Sequence, residues 1–115
     1  MDTVIYHNPK CSKSRATLAL LREHGIEPEI VEYLKTPPDA LMLAEILRRL
    51  GIGPRDLMRK RESVYRECNL SDPGLDDSAL IAAMVADPIL IERPIVLHGG
   101  RARVGRPPES VLEIL

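Results

Sequence analysis

One polar stretch sets the topology predicted for this chain: His7-Asn8-Pro9-Lys10-Cys11-Ser12-Lys13-Ser14-Arg15. Residues 3–6, Thr-Val-Ile-Tyr, come directly before it and have the β-branched and aromatic content of a buried strand. Residues 16–24 follow it and are predicted to form a helix. The sequence therefore places Cys11 in a polar turn, between a strand and the start of a helix.

Cys11 is a candidate nucleophile. The first turn of a helix offers unpaired backbone N–H groups and the positive end of the macrodipole, and both favour a thiolate over a thiol. Lys10, Lys13 and Arg15 add positive charge, and His7 either contributes charge or braces the turn by hydrogen bonds. Most lone cysteines are core residues, but a core residue does not lie in a turn among lysines and serines. We predict a pKa well below the ~8.5 of free cysteine.

Length and composition predict a single domain over residues 1–115. The chain is 44% apolar, which is enough for one core. Sixteen basic and seventeen acidic residues leave a net charge of −1, which argues against nucleic acid or an anionic membrane as a partner. The sequence has no ~20-residue apolar span and no signal-peptide pattern, so we expect a cytoplasmic protein. Two cysteines, Cys11 and Cys68, are too few for a disulfide framework.

The first half of the chain predicts a βαβ unit followed by a helical insertion. Residues 29–33 form the second strand, which is parallel to the first because a short strand-helix-strand unit is a right-handed crossover. The insertion starts with a helix that Asp39 caps and Gly51 ends. Short helical turns follow, and then a helix that Asp76 or Asp77 caps.

The last third of the chain predicts a hairpin and a final helix. Residues 95–97 and 102–104 flank a Gly99-Gly100 turn, a pattern typical of a tight antiparallel hairpin. Pro107-Pro108 then opens the last helix. Its predicted buried side consists of Val111, Leu112 and Leu115. The whole order, β-α-β, insertion, β-β-α, is the thioredoxin-like arrangement: an α/β fold of three layers around a four-stranded mixed sheet, with the reactive cysteine after the first strand.

The redox motif has a single thiol. The sequence is Cys11-Ser12-Lys13-Ser14, where a dithiol site has C-x-x-C. Ser14 cannot resolve a disulfide, so the oxidised sulfur must pass to an outside thiol such as glutathione, or to a distant cysteine. Cys68 is predicted to lie on a solvated helix, and we interpret it as an ordinary helix residue.

Three arginines, Arg59, Arg93 and Arg106, are candidates for an anion site. Arg93 is the most informative, because it lies between the apolar segments 89–91 and 95–97, where a guanidinium needs a partner. Three forked donors aimed at one thiolate would form a pocket for a tetrahedral oxyanion. The Arg93–Pro94 bond is also a candidate cis peptide bond, since such bonds occur almost only before proline.

These motifs together resemble the ArsC family of glutaredoxin-dependent arsenate reductases, and the resemblance covers essentially the whole chain. It is carried by His7-Asn8-Pro9-x-Cys11-x-x-Ser14-Arg15, Tyr33-Leu34-x-Thr36-Pro37-Pro38, Leu57-Met58-Arg59-Lys60, Arg93-Pro94-Ile95-Val96 and Arg106-Pro107-x-Glu109-x-Val111-Leu112-x-Ile114-Leu115. Two features differ from the longer members: the chain stops at Leu115, and Gly105 stands where some members have a cysteine.

The resemblance implies a mechanism and a role for each site residue. Cys11 would attack arsenate held by Arg59, Arg93 and Arg106; glutathione, as co-substrate, would reduce the adduct; and glutaredoxin would cleave the resulting mixed disulfide. The resemblance implies no metal and no bound organic cofactor, and we expect a monomer. Supporting residues are His7, Asn8, Pro9, Ser14, Arg15 and a cis Pro94.

A different class of arsenate reductase has a phosphatase-like C-x5-R loop, which would need arginine at position 17, and Thr17 excludes it. Two alternatives to arsenate reduction stay open. A glutathione-linked thiol oxidoreductase of another substrate would have the same site. A non-enzymatic regulator resembling Spx, which binds RNA polymerase, would share the fold, but its C-x-x-C switch conflicts with Ser14.

Overall fold

A computed structural model describes residues 3–115. The described chain forms two compact units, one made of the segment up to Thr36 together with Arg93–Leu115, and the other of Pro37–Glu92. The prediction of one domain over residues 1–115 stays a prediction.

The first unit contains a mixed four-stranded sheet, as predicted. Its strands are β1 (Thr3–His7), β2 (Glu29–Glu32), β3 (Ile95–His98) and β4 (Arg101–Val104), in the order β2-β1-β3-β4. β1 is parallel to β2 and antiparallel to β3, with Ile5 opposite Val96. The hairpin of β3 and β4 is antiparallel, with Gly99 at φ 61° in its turn. The carboxyl end of the central strand β1 therefore leads directly into the polar stretch around Cys11.

Helix α1 spans Ser12–Glu23 and begins earlier than the predicted residue 16. The polar residues after Cys11 belong to its first turn, where small hydroxyl side chains are well tolerated. The predicted end is confirmed: Gly25 has φ 77°, and the Ile26 N–H donates to the Leu21 carbonyl at 3.0 Å. This Schellman-type closure satisfies the last carbonyl groups of the helix.

The core of the first unit joins α1, the sheet and the last helix. Its buried members are Ile5, Leu18, Leu21, Val96, Val111 and Ile114. Burying branched side chains of this size contributes about 1.5–3 kcal/mol each relative to exposure. This packing holds α1 against the sheet that contains β1.

The last helix, Pro108–Ile114, is a 3-10 helix, not an α-helix. The predicted burial of Val111 is correct, but the burial predicted for Leu112 and Leu115 is wrong, since they are 38% and 40% exposed. Ile114 is buried instead. A 3-10 helix has three residues per turn, so positions 111 and 114 fall on the same side.

The second unit is helical. Its α-helices are α2 (Ala40–Leu50), α3 (Pro54–Leu57), α4 (Ser63–Glu67) and α5 (Asp77–Ala86), and a 3-10 turn, Pro88–Leu90, follows them. Asp39 caps α2 by accepting from the Met42 N–H at 2.8 Å, and Asp76 caps α5 by accepting from the Ala79 N–H at 2.9 Å. Gly51 ends α2 at φ 72°. No helix in residues 3–115 is long and apolar enough to cross a membrane.

We expect Ile114→Ala to lower the free energy of unfolding by about 2–5 kcal/mol, because it removes buried methyl groups and leaves a cavity. Leu112→Ala, two residues away in the same helix, should cost about 1 kcal/mol or less. Urea denaturation of both variants measures the difference. Equal losses would contradict the three-residue period of this helix.

Candidate active site

Cys11 is the N-cap residue of α1, with φ −95° and ψ 124°. Its N–H donates to the Asn8 carbonyl at 3.0 Å, and its carbonyl accepts from the Arg15 N–H at 3.0 Å. These two bonds close the turn that leads from β1 into the helix. The thiol is thereby fixed where the unpaired N–H groups of the first turn converge.

The thiolate form of Cys11 is favoured. Burial alone would raise the pKa of the Cys11 thiol, but the Ser14 N–H, the Arg93 side chain and the Lys13 N–H act in the opposite direction, and the pKa lies below its ordinary value. The Cys11 sulfur does not form a capping hydrogen bond with these N–H groups. They lower the pKa from a longer distance. Nη2 of Arg106 also lies 3.6 Å from the Cys11 sulfur and donates to it. A sulfur flanked by cationic donors forms the nucleophilic thiolate more readily than a free cysteine does.

Arg93 and Arg106, predicted as anion ligands, both lie at Cys11. They are tied to each other as well, because Nε of Arg106 donates to the Arg93 carbonyl at 2.8 Å. The predicted cis peptide bond before Pro94 is present, and the bond between Arg106 and Pro107 is also cis. The second cis bond was missed, although the Arg-Pro dipeptide carried the same signal.

Gly105 allows the two arginine segments to approach α1. Its N–H donates to the Pro94 carbonyl at 2.9 Å. A Cβ atom at this position would lie 2.5 Å from Oγ1 of Thr17 and 2.9 Å from Cγ of Pro94. Glycine is therefore the residue that fits this close contact.

Arg59, the third predicted arginine, lies in the second unit, and its role beside Cys11 stays a prediction. Its guanidinium donates from Nε to Oε2 of Glu62 at 3.0 Å and from Nη1 to Oε1 of Glu92 at 2.8 Å. Burial acts to lower the pKa of Arg59, but the two carboxylates raise it above its ordinary value. Neither glutamate was predicted as a site residue, although the i,i+3 spacing of Arg59 and Glu62 was a visible signal.

His7 braces the turn and is not a cation. Its side chain is buried, and Nδ1 lies 2.6 Å from Oγ of Ser14. Burial is the main cause that lowers the pKa of His7; Arg22 and Arg15 lower it further, and Glu32 opposes them. The imidazole is therefore neutral at pH 7. Of the two roles predicted for His7, the structure supports the hydrogen-bonding brace.

Ser14 is the centre of this brace. It is completely buried, and its Oγ accepts from the Asn8 N–H at 3.0 Å in addition to its contact with His7. Oδ1 of Asn8 accepts from the Lys10 N–H at 3.0 Å. The turn is thus ordered by side chains from both of its ends.

Arg15 supports the turn from outside. Its Nη1 donates to the Pro9 carbonyl at 3.0 Å, so the side chain binds the loop backbone instead of the sulfur.

Cys68, in contrast to Cys11, is exposed at the end of α4. Within residues 3–115, no three His, Cys, Asp or Glu side chains are grouped so that they could hold a metal ion.

We expect the alkylation rate of Cys11 to reach half its maximum well below pH ~8.5, because the surrounding donors stabilise the thiolate. Iodoacetamide labelling against pH, followed on the Cys11 peptide, measures this. Arg106→Ala should move the midpoint to higher pH, whereas Arg48→Ala, on the exposed side of α2, should not. A wild-type midpoint equal to that of free cysteine would contradict the site described here.

The same pKa shift predicts a stability difference with a defined sign. A group with a lowered folded pKa binds fewer protons in the folded state, so its stabilising contribution is complete above the unfolded pKa of ~8.5 and is lost as pH falls through the folded value. Wild type should therefore gain stability relative to Cys11→Ser as pH rises towards that range. Urea denaturation of both proteins at several pH values checks the sign, and a gain on acidification would refute it.

The chain is similar in sequence to known proteins. The model of the ArsC family matches residues 6–114. The chain is similar to a Neisseria meningitidis protein named arsenate reductase, with 50% identity over 96% of each chain. It is also similar to the Escherichia coli protein YfgD, whose name states no activity, with 59% identity over 96% of this chain and 94% of that one.

A solved structure is also similar. The arsenate reductase from Vibrio cholerae superposes with a TM-score of 0.97 at 56% identity, over 100% of this chain and 98% of that one. The predicted thioredoxin-like α/β fold is thereby confirmed. With matches of this extent in both sequence and structure, the chain belongs to the ArsC family.

Proposed function

We propose that this protein is an arsenate reductase that converts arsenate to arsenite at Cys11, with glutathione and glutaredoxin as reductants. One observation carries the proposal: the Cys11 thiol receives a hydrogen bond from Nη2 of Arg106, and the Arg93 side chain contributes to its lowered pKa. Relatives that are about half identical over nearly full length are named arsenate reductase. The site and the names point to the same chemistry.

The first step is binding of the anion at the thiolate. Arsenate is a tetrahedral oxyanion, and Arg93 and Arg106 supply planar N–H donors that match pairs of its oxygens. We assign the third set of donors to Arg59, on the family resemblance. A cationic pocket also lets a negative thiolate approach a negative substrate, which the two charges alone would oppose.

The chemical step forms a sulfur–arsenic bond. The Cys11 thiolate attacks arsenic, and one oxygen leaves as hydroxide or water, giving a thiol–arsenate adduct. The sulfur of glutathione then attacks Cys11 Sγ, the electron pair of the sulfur–arsenic bond passes to arsenic, and arsenite leaves. Arsenic is reduced by two electrons, and the two thiols are oxidised to a mixed disulfide. This sequence uses no metal and no bound organic cofactor.

Glutaredoxin completes the cycle by thiol–disulfide exchange on the mixed disulfide. Position 14 has no thiol to do this internally, because Ser14 is buried within the brace of His7 and Asn8. We assign the reaction to the cytoplasm, where glutathione keeps thiols reduced, and propose that the protein acts as a monomer.

Removing Arg106 or Arg93 should lower kcat/KM for arsenate by roughly 10- to 150-fold, the value of one charge-assisted hydrogen bond of about 1.5–3 kcal/mol. Arg93→Lys should recover only part of the loss, since lysine restores the charge but not the planar fork. A coupled assay with arsenate, glutathione, glutaredoxin and NADPH measures the turnover.

Arg48→Ala serves as the control, because Arg48 is an exposed side chain paired with Glu45 on α2. Glutathionylation of Cys11 needs no oxyanion and should change far less than arsenate turnover in every arginine variant. If Arg93 and Arg106 variants reduce arsenate as fast as Arg48→Ala, the arsenate assignment is wrong. Glutathionylation without any arsenate turnover would instead favour a thiol oxidoreductase of another substrate.

Oxidised glutathione should modify Cys11 in preference to Cys68, and glutaredoxin should reverse the modification. Cys68 is the more exposed thiol, so a preference for Cys11 would have to come from its stabilised thiolate and not from access. Peptide mass spectrometry locates the adduct. A disulfide between Cys11 and Cys68 as the main product would show an internal resolving thiol and refute the proposed route.

A further inference from the structure

Two carboxylates already bind Arg59, the third proposed arsenate ligand. Its Nε donates to Glu62 at 3.0 Å and its Nη1 to Glu92 at 2.8 Å. All three side chains are about three-quarters buried, with exposed fractions of 24%, 24% and 28%. Water therefore screens these pairs less than it screens a fully exposed ion pair.

Each fork of the guanidinium has one nitrogen that already donates to a glutamate. A planar two-point contact with an oxyanion uses either the Nε and Nη2 edge or the Nη1 and Nη2 edge. Glu62 takes the single proton of Nε, and Glu92 takes a proton of Nη1. Arsenate can therefore reach either fork of Arg59 only by displacing a carboxylate or by lying next to one.

The backbone holds this arrangement in place. Met58 and Ile91 form an antiparallel β-bridge. Next to it, the Arg59 N–H donates to the Leu90 carbonyl at 2.7 Å, and the Glu92 N–H donates to the Leu57 carbonyl at 2.9 Å. The backbone hydrogen bonds beside this bridge therefore fix the positions from which the Arg59 and Glu92 side chains extend. Two long side chains that meet on a helix surface have no such backbone contact between them.

We propose that Glu62 and Glu92 are specificity-determining residues that compete with arsenate for Arg59 and so set the affinity of the site for the oxyanion. The inference rests on the proposed function, in which Arg59 is one of the arsenate ligands. The two carboxylates place negative charge beside the cation that would bind arsenate, so they oppose the approach of a dianion to Arg59. The affinity for arsenate then depends on the free energy needed to displace a glutamate from Arg59.

The test measures how much arsenate protects Cys11 from iodoacetamide, in the absence of glutathione. Glu62→Gln and Glu92→Gln keep a carbonyl oxygen that accepts from Arg59 but remove the competing charge. Each substitution should lower the arsenate concentration that gives half-protection by roughly 5- to 20-fold. This range lies between the effect expected for losing an exposed ion pair and that expected for losing a charge-assisted hydrogen bond. In an Arg59→Ala background, neither substitution should have this effect.

Glu45→Gln is the matched control, since the Glu45 carboxylate also binds two arginines, Arg48 and Arg49, and the change in net charge is the same. It should leave protection unchanged. If Glu62→Gln and Glu92→Gln bind arsenate as wild type does, or more weakly, the glutamates only position Arg59 and the inference is wrong. If arsenate protects none of the proteins, the inference also fails.

Turnover of the same variants separates this inference from the proposed function. Competition predicts that KM for arsenate falls in Glu62→Gln and Glu92→Gln while kcat changes little, a split that a purely structural role would not produce. A wild type that arsenate protects but that does not reduce it would refute the proposed function. In that case, the change in the arsenate concentration for half-protection between wild type and the two glutamine variants would still test whether the glutamates compete with the oxyanion.

Discussion

The hydrogen bond from Nε of Arg106 to the Arg93 carbonyl holds the proposed active site together. It joins two Arg-Pro segments that lie 13 residues apart along the chain, and it leaves Nη2 of Arg106 directed at the Cys11 sulfur. Gly105 makes the contact possible because its lack of a side chain lets this segment approach Pro94 and Thr17. Both arginines therefore keep their place relative to the thiol before any anion binds, which is the preorganisation that electrostatic catalysis requires.

The charge state of Cys11 results from opposed effects of burial and hydrogen bonding. Burial disfavours the thiolate, and the donors around the sulfur outweigh it. His7 contributes by shape and not by charge, since its burial favours the neutral imidazole that lies against Ser14. The positive field at the sulfur thus comes from arginine and from the start of α1, and not from the histidine.

The sequence predicted the sheet, the capped helices and the place of Cys11, because strands, turns and caps leave local patterns. It predicted the start of α1 too late, since Ser12 and Lys13 are as common in turns as in a first helical turn. It placed Leu112 and Leu115 in the core because a period of 3.6 residues was assumed where the period is three. Glu92 had no local signal, since its partner Arg59 is 33 residues away and only the bridge between the two segments brings them together.

The brace at Ser14 limits how this site can evolve. A dithiol site needs cysteine at position 14, and a single substitution would put it there. The oxygen it replaces, however, is buried and serves both His7 and Asn8; sulfur is larger and a weak acceptor, so both polar groups would lose their partner inside the protein. The passage from one thiol to two therefore requires a change at position 7 together with the change at position 14, and it leaves the Asn8 N–H, a backbone group that no side-chain change removes, in need of another acceptor.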